Sequence, residues 1–231
     1  MDDLQELNNL LIRFRSIDTM PEITDGHDTW LSPKELERLI AITSANRKKT
    51  WLAGRYLTKT TACRLLPGTL LQDLELISTD IDGRGIPPYL TCRGQVCPLQ
   101  CSISHTDREV AVAMSQQPEH RFGIDLVDLN RSSDRFERIG KHWLTENEQK
   151  QVAPADHREI ARRWALKEAA YKSMRHTHEG FSPLRFEVLR EEPGRGLWQI
   201  RHNDQLLFRH EDITILESQD NLFALVSRIE T

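Results

Sequence analysis

The sequence predicts an α+β protein built as a pseudo-dimer of two similar halves, residues 1–117 and 118–231, each with helices packed on a small antiparallel sheet. Helical patterns give way to strand-like runs twice along the chain. Trp51 and Lys59 recur as Trp164 and Lys172, an offset of 164 − 51 = 113. The apolar run Val110–Met114, shifted by the same 113 residues, falls on Phe223–Ser227, which again reads as a strand. Gln116-Gln117-Pro118-Glu119 is the expected connector.

Each element has a local cause. Ser32-Pro33-Lys34-Glu35 is a capping box with Pro at the first helical position, and Leu36, Leu39 and Ile40 continue it at helical spacing. A second helix is expected from Asn46 to Leu66, ended by Pro67-Gly68. Strands are expected at Leu74–Ser78, Cys101–Ser104 and Val110–Met114, with a turn at Asp82-Gly83 and a Gly/Pro loop running through Pro88. The second half opens with a strand from Arg121 to Leu129, followed by a helix face of Phe136, Ile139 and Trp143. Thr145-Glu146-Asn147-Glu148 is another capping box, and a long helix spans Asp156 to Met174. Runs at 186–189, 198–201, 206–209, 213–216 and 222–226, with turns at Pro193-Gly194 and Asn203-Asp204, read as a meander.

Lys+Arg total 31 against 35 Asp+Glu, a net charge of −4, which argues against nucleic acid as the main partner. Residues of hydrophobic type make up 38% of the chain, enough for a sizeable core, yet no run approaches the 18 apolar residues of a membrane span. The acidic start Met1-Asp2-Asp3 lacks a signal-peptide pattern, so a cytoplasmic protein is expected.

Cys92, Cys97, Cys101 and His105 offer three thiols and an imidazole, a donor set that can hold zinc. Their spacing lacks the tight Cys-x2-Cys knuckles of zinc ribbons. Cys101-Ser102-Ile103-Ser104-His105 instead alternates like a strand, and reduced cysteines in a cytosolic protein are the preferred reading.

Trp164, Glu168 and Lys172 share one face of the long helix, with Lys167 beside them, a pattern that an exposed Glu–Lys pair also explains. At the shared offset Arg55 corresponds to Glu168, so only the second half offers a carboxylate there. In Phe122–Leu129, alternation puts Gly123, Asp125 and Val127 on one face. An aspartate in so apolar a strand needs an ion-pair partner or a cation. Lys48, Arg55 and Lys59 fall on one face of the first long helix, as ligand contacts or as a solvated basic stripe.

FGIDLVDL and WALKEAAYK together resemble the paired signatures of the 4'-phosphopantetheinyl transferases. Ile103-Ser104-His105-Thr106 and Trp51–Arg55 are similar to two further elements of that family, and Gly83-Arg84-Gly85 matches its Gly-basic-Pro loop except that Gly85 replaces the proline. The length and two-half organisation resemble the Sfp type, a monomeric pseudo-dimer with its active site between the halves. The resemblance implies transfer of the phosphopantetheine arm of coenzyme A to a serine of an apo acyl or peptidyl carrier protein, with release of 3',5'-ADP. It implies magnesium, or manganese, held by Asp125 and Glu168, with Asp125, Glu168 and Lys172 catalytic and Glu168 as base. It assigns Arg47, Lys48, Arg84, Ser104, His105, Lys167 and Lys172 to coenzyme A.

Where many Sfp-type chains read G-I-D-I-E, Val127 stands in place of the third carboxylate. Asp128 points to the opposite face, so a two-carboxylate site is expected, as in the holo-acyl-carrier-protein synthases. Acidic carrier proteins imply a basic docking patch, for which Arg162, Arg163, Arg175 and His176 are candidates. The alternatives are a non-catalytic module that binds coenzyme A or a carrier, and a zinc-stabilised interaction domain.

Overall fold

The computed structural model describes residues 3–7, 9–80, 82–174, 180–190 and 197–230. Helices and antiparallel strands divide between two compact units, Met1–Pro118 and Glu119–Thr231. Among the described residues no helix is long and apolar enough to cross a membrane.

The first unit begins with a hairpin, β1 (Asp3–Leu7) and β2 (Leu10–Ser16), in a segment where the sequence analysis assigns no element. Two helices follow, α1 (Pro33–Ala41) and α2 (Ala45–Leu65). Ser32 and Glu35 close the expected capping box on α1, and Ser44 caps α2 by accepting from the Arg47 N–H. β3 (Leu74–Thr79), β4 (Gly85–Cys92), β5 (Gln95–His105) and β6 (Glu109–Ser115) complete one six-stranded antiparallel sheet in the order β1-β2-β6-β5-β4-β3. The stretch read as a loop through Pro88 is therefore strand β4. Its register against β3 shifts between the Ile77–Tyr89 and Thr79–Gly85 pairs, an irregularity that spans Pro87 and Pro88, and its pairs with β5 involve Tyr89, Thr91 and Cys92.

The second unit starts with β7 (His120–Asp128), then α3 (Ser133–His142), α4 (Glu146–Gln151) and α5 (His157–Ser173). Thr145 and Glu148 form the expected capping box on α4, and Asp156 caps α5. The expected meander divides in two: β8 (Phe186–Arg190), β9 (Trp198–His202) and β10 (Gln205–Phe208) make one three-stranded sheet, while β11 (Ile213–Glu217) and β12 (Asn221–Ile229) join β7 in another. The cause is visible beside the first unit. There β5 runs unbroken, pairing with β4 in its first half and β6 in its second, whereas in the second unit a 3-10 turn at His210–Asp212 separates β10 from β11. The expected turn at Pro193-Gly194 lies outside the described residues.

Each unit encloses a buried ionic network, and the two networks match contact by contact. In the first, Lys59 Nζ donates to Glu35 (2.5 Å) and to the Trp30 carbonyl (2.7 Å), Leu76 N–H donates to the other Glu35 oxygen (3.1 Å), and Arg55 reaches the Leu76 carbonyl (3.4 Å). In the second, Lys167 Nζ donates to Glu148 (2.6 Å) and to the Trp143 carbonyl (2.9 Å), Val188 N–H donates to the other Glu148 oxygen (3.0 Å), and Arg163 reaches the Val188 carbonyl. Burial pulls the Lys59 and Lys167 pKa values down, and the facing glutamate opposes that shift in each case. Burial also lowers Arg55, to about 10, against the pull of Glu35.

These contacts correct the offset of 113. It holds for the capping boxes, 148 − 35 = 113, but on the long helices Lys59 matches Lys167, an offset of 108. Arg55 therefore corresponds to Arg163, not to Glu168, and the shared Trp–Lys spacing is coincidence. Strand faces also correct the run read at 113. Val110, Val112 and Met114 line the first core as Leu222, Ala224 and Val226 line the second, an offset of 112. A one-residue error exchanges the two faces of a strand.

Gly123 is the closest strand–helix approach among the described glycines. A Cβ there would run into the Ala169 carbonyl and lie 2.7 Å from the Ser173 nitrogen. Gly123→Ala is expected to destabilise the protein by about 2–3 kcal/mol, whereas Gly85→Ala, with open space around it, is expected to stay within about 0.5 kcal/mol; urea denaturation of both variants measures the difference.

Candidate active site

β7 and β12 pair in a register that sets Gly123 opposite Val226, Asp125 opposite Ala224 and Val127 opposite Leu222. Directly opposed residues point to the same side of an antiparallel pair. Ala224, Val226, Leu222 and Val127 belong to the core that α5 covers, so the face carrying Gly123 and Asp125 is the face toward α5. With no side chain at 123, the helix comes close enough for its own residues to meet Asp125. Lys172 Nζ lies 2.6 Å from Asp125 Oδ1 and 3.7 Å from Glu168 Oε2. One strand and one helix thus bring together Asp125, Glu168 and Lys172, the three residues that the sequence analysis names as catalytic.

Their electrostatics follow from burial and proximity. Burial raises the Glu168 carboxyl above its usual range, and the nearby Asp125 charge raises it further; Lys172 only partly relieves this. Burial works against a charged Lys172, but Asp125 and Glu168 outweigh it and push the ammonium up. Asp125 is almost wholly buried, whereas about a quarter of each of the Glu168 and Lys172 side chains is exposed. The result is two carboxylates and one ammonium in a partly exposed cluster, with the Arg135 charge near enough to act on Glu168.

That donor set fits a hard divalent cation. Magnesium takes oxygen ligands, commonly one or two carboxylates completed by water and substrate phosphate. Val127 packs in the core on the Asp125 face, leaving no third carboxylate there, and among the described residues no cluster of three His, Cys, Asp or Glu side chains is placed to hold a metal. Asp128, one residue off that face, accepts from the Asn130 N–H (2.9 Å) in a turn after the strand.

Other expected residues lie elsewhere. Lys167, assigned to coenzyme A, is fully buried, and its three hydrogens go to Glu148, Trp143 and the Pro183 carbonyl (3.1 Å), all within the second unit. Arg55 and Lys59 are likewise buried in the first-unit network, so a solvated basic stripe does not describe them. Arg47 is exposed and Lys48 half-buried in the first turn of α2, while Arg84 is exposed on the turn that Asp80 Oδ1 closes by accepting its N–H (2.8 Å). His105 is exposed at the end of β5, beside the buried Ser104. These belong to the first unit.

Of the docking candidates, Arg163 is buried and Arg162 is held by Glu159 (3.1 Å) and Glu217 (2.7 Å), so neither offers a free positive charge; Arg175 and His176 lie outside the described residues. The cysteines are free thiols, with Cys97 and Cys101 in the apolar core of the first unit and the Cys101 thiol donating to the Pro88 carbonyl (3.4 Å).

The sequence analysis missed the aromatic support of α5. Trp164 stacks on Trp143 (4.5 Å between ring centroids) and meets Phe181 edge-on, and Phe181 continues to Tyr171. The helical spacing of Trp164 and Tyr171 about Glu168 was the available signal. A separate apolar cavity of about 560 Å³, lined by Gly140, Leu144, Val152 and Ile160 among others, lies in the same unit away from the three charged residues.

No curated protein matches the chain. The family model of the 4'-phosphopantetheinyl transferase superfamily matches residues 121–224, a segment that runs from the β7 strand bearing Asp125, through the whole of α5, into β12. Over residues 121–224 the chain is thus similar to the 4'-phosphopantetheinyl transferase superfamily.

Proposed function

We propose that the protein transfers the 4'-phosphopantetheine arm of coenzyme A to a serine hydroxyl of an apo acyl or peptidyl carrier protein, releasing 3',5'-ADP. The single observation that carries the reading is the meeting of Asp125, Glu168 and Lys172 across the close contact of β7 and α5, inside the segment that matches the family. Asp125 and Glu168 would hold the magnesium ion. When bound, that ion supplies Lewis-acid polarisation of the attacked phosphoryl group and offsets charge on the pyrophosphate.

The chain's own residues do the rest. Lys172, which spans both carboxylates, would set its ammonium against a phosphate oxygen of the substrate. Glu168, with its pKa raised toward the working pH, is suited to accept the serine proton. The serine oxygen forms the new bond to phosphorus, the bond to the 3',5'-ADP oxygen breaks, and that product leaves with the electron pair. Arg47, Lys48, Arg84 and His105 are proposed contacts to the phosphates of coenzyme A on the strength of the resemblance, supported by their position on the first unit's surface. Ser104 is buried behind His105 and is proposed to fix the strand end that carries it.

Intact-mass measurement of mixed apo acyl and peptidyl carriers, incubated with enzyme, coenzyme A and magnesium, tests the reading. One phosphopantetheine increment is expected, abolished by chelator and by Asp125→Asn or Glu168→Gln. Full activity in either variant, or no increment on any carrier, overturns it. The raised Glu168 pKa adds a second expectation. A cation binds the ionised carboxylate, so magnesium affinity should rise with pH through the Glu168 titration and level off above it. Isothermal titration calorimetry across pH checks the sign, and Glu168→Gln should remove the dependence.

A further inference from the structure

The two buried networks let the units be compared residue by residue, and the comparison reaches the active site. Lys59 takes the place of Lys167, so Thr60 takes that of Glu168, the next residue along the helix. In the sheets, Arg13 lies opposite Val112 as Asp125 lies opposite Ala224, with 125 − 13 = 112 and 224 − 112 = 112. Val112 and Ala224 both line the core beneath the long helix of their unit. Arg13 therefore occupies the Asp125 position, and it reaches across to the equivalent helix. Its Nη1 donates to Thr60 Oγ1 (2.9 Å) and Thr61 Oγ1 (3.4 Å), and only 3% of the residue is exposed.

We infer that the first unit holds a former divalent-cation site in which Arg13 has replaced both the strand carboxylate and the ion. The inference rests on the reading of Asp125 and Glu168 as metal ligands. Exchanging aspartate for arginine adds two units of positive charge, the charge of the lost ion, and delivers it on a guanidinium that stays protonated when buried. Thr60, in place of a second carboxylate, offers a hydroxyl oxygen that accepts from it. Arg13 thus ties strand to helix in the first unit, as the cation would in the second. Leu11, in place of Gly123, fills the position where the second unit needs a bare backbone.

Restoring the carboxylates should restore the site. Manganese is titrated into the full-length protein, into Arg13→Asp/Thr60→Glu, and into the same pair in an Asp125→Asn/Glu168→Gln background, the last two also carrying Leu11→Gly to bare the strand as Gly123 does, with water-proton relaxation reporting even weakly held ions. One ion is expected in the first, two in the second and one in the third. A folded second protein that binds one ion, with none in the third, overturns the inference while leaving the Asp125/Glu168 reading intact. No manganese on the unaltered protein overturns that reading, and this inference with it. Thr60→Glu alone guards against a combined variant that fails to fold. It sets a carboxylate against Arg13, so the melting temperature should rise by roughly 2–4 °C without manganese uptake in the first unit. A lowered melting temperature would show that position 60 does not face Arg13 as Glu168 faces Asp125, and would overturn the inference as well.

Discussion

The absence of a side chain at Gly123 is the constraint on which the active site depends. A helix resting on a sheet through ordinary side chains is held off by them, and a short aspartate on the strand then falls short of groups on the helix. At Gly123 the helix carbonyl of Ala169 sits where a Cβ would otherwise be. Asp125, two residues along the same face, is then drawn against Lys172 and Glu168. The acidic residue is costly in such a place, and the lysine makes it tolerable.

The buried networks do a different job from the active-site charges, although the two sit side by side on α5. Lys167 and Glu168 are adjacent in sequence yet face different surroundings. Lys167 is fully buried with three oxygen partners, and Glu168 is partly exposed with a raised pKa. The first kind of group, with every donor satisfied, fixes the helix on its neighbours, as its twin at Lys59 does in the other unit. The second kind is left short of partners and is available to a ligand. Satisfaction of hydrogen bonds, more than charge or spacing, separates scaffold from site here.

That distinction explains how much was legible in the sequence. Capping boxes at Ser32 and Thr145, the long helices and the strand around Asp125 all declare themselves locally, because their signals lie within a few residues. Asp125 stood out as an acid in an apolar strand, but the roles of Asp125, Glu168 and Lys172 came from the resemblance of FGIDLVDL and WALKEAAYK to the family's signatures, since a Glu–Lys helix face alone is ordinary. The burial of Lys167 was not legible, because its partners lie 16 to 24 residues away. Strand β4 was hidden by Pro87 and Pro88, whose tolerance depends on a register shift against β3 that only the assembled sheet contains. The repeat itself was seen at a single offset, while loops of different length between the elements make it 113, 108 or 112 according to the element.

The turn at His210–Asp212 has a consequence for how the second unit can change over evolutionary time. Because it interrupts the hydrogen-bonded ladder between β10 and β11, the sheet of β8 to β10 is not continuous with the sheet that carries Asp125. Insertions or altered pairing in the β9–β10 hairpin are thus absorbed locally and do not propagate along a ladder to the reacting groups. In the first unit the unbroken β5 denies that freedom, since any slip of its β4-facing half is passed directly to the half that ends at His105. Sequence drift should accordingly be permissive at one sheet and conservative at the other, within a single chain.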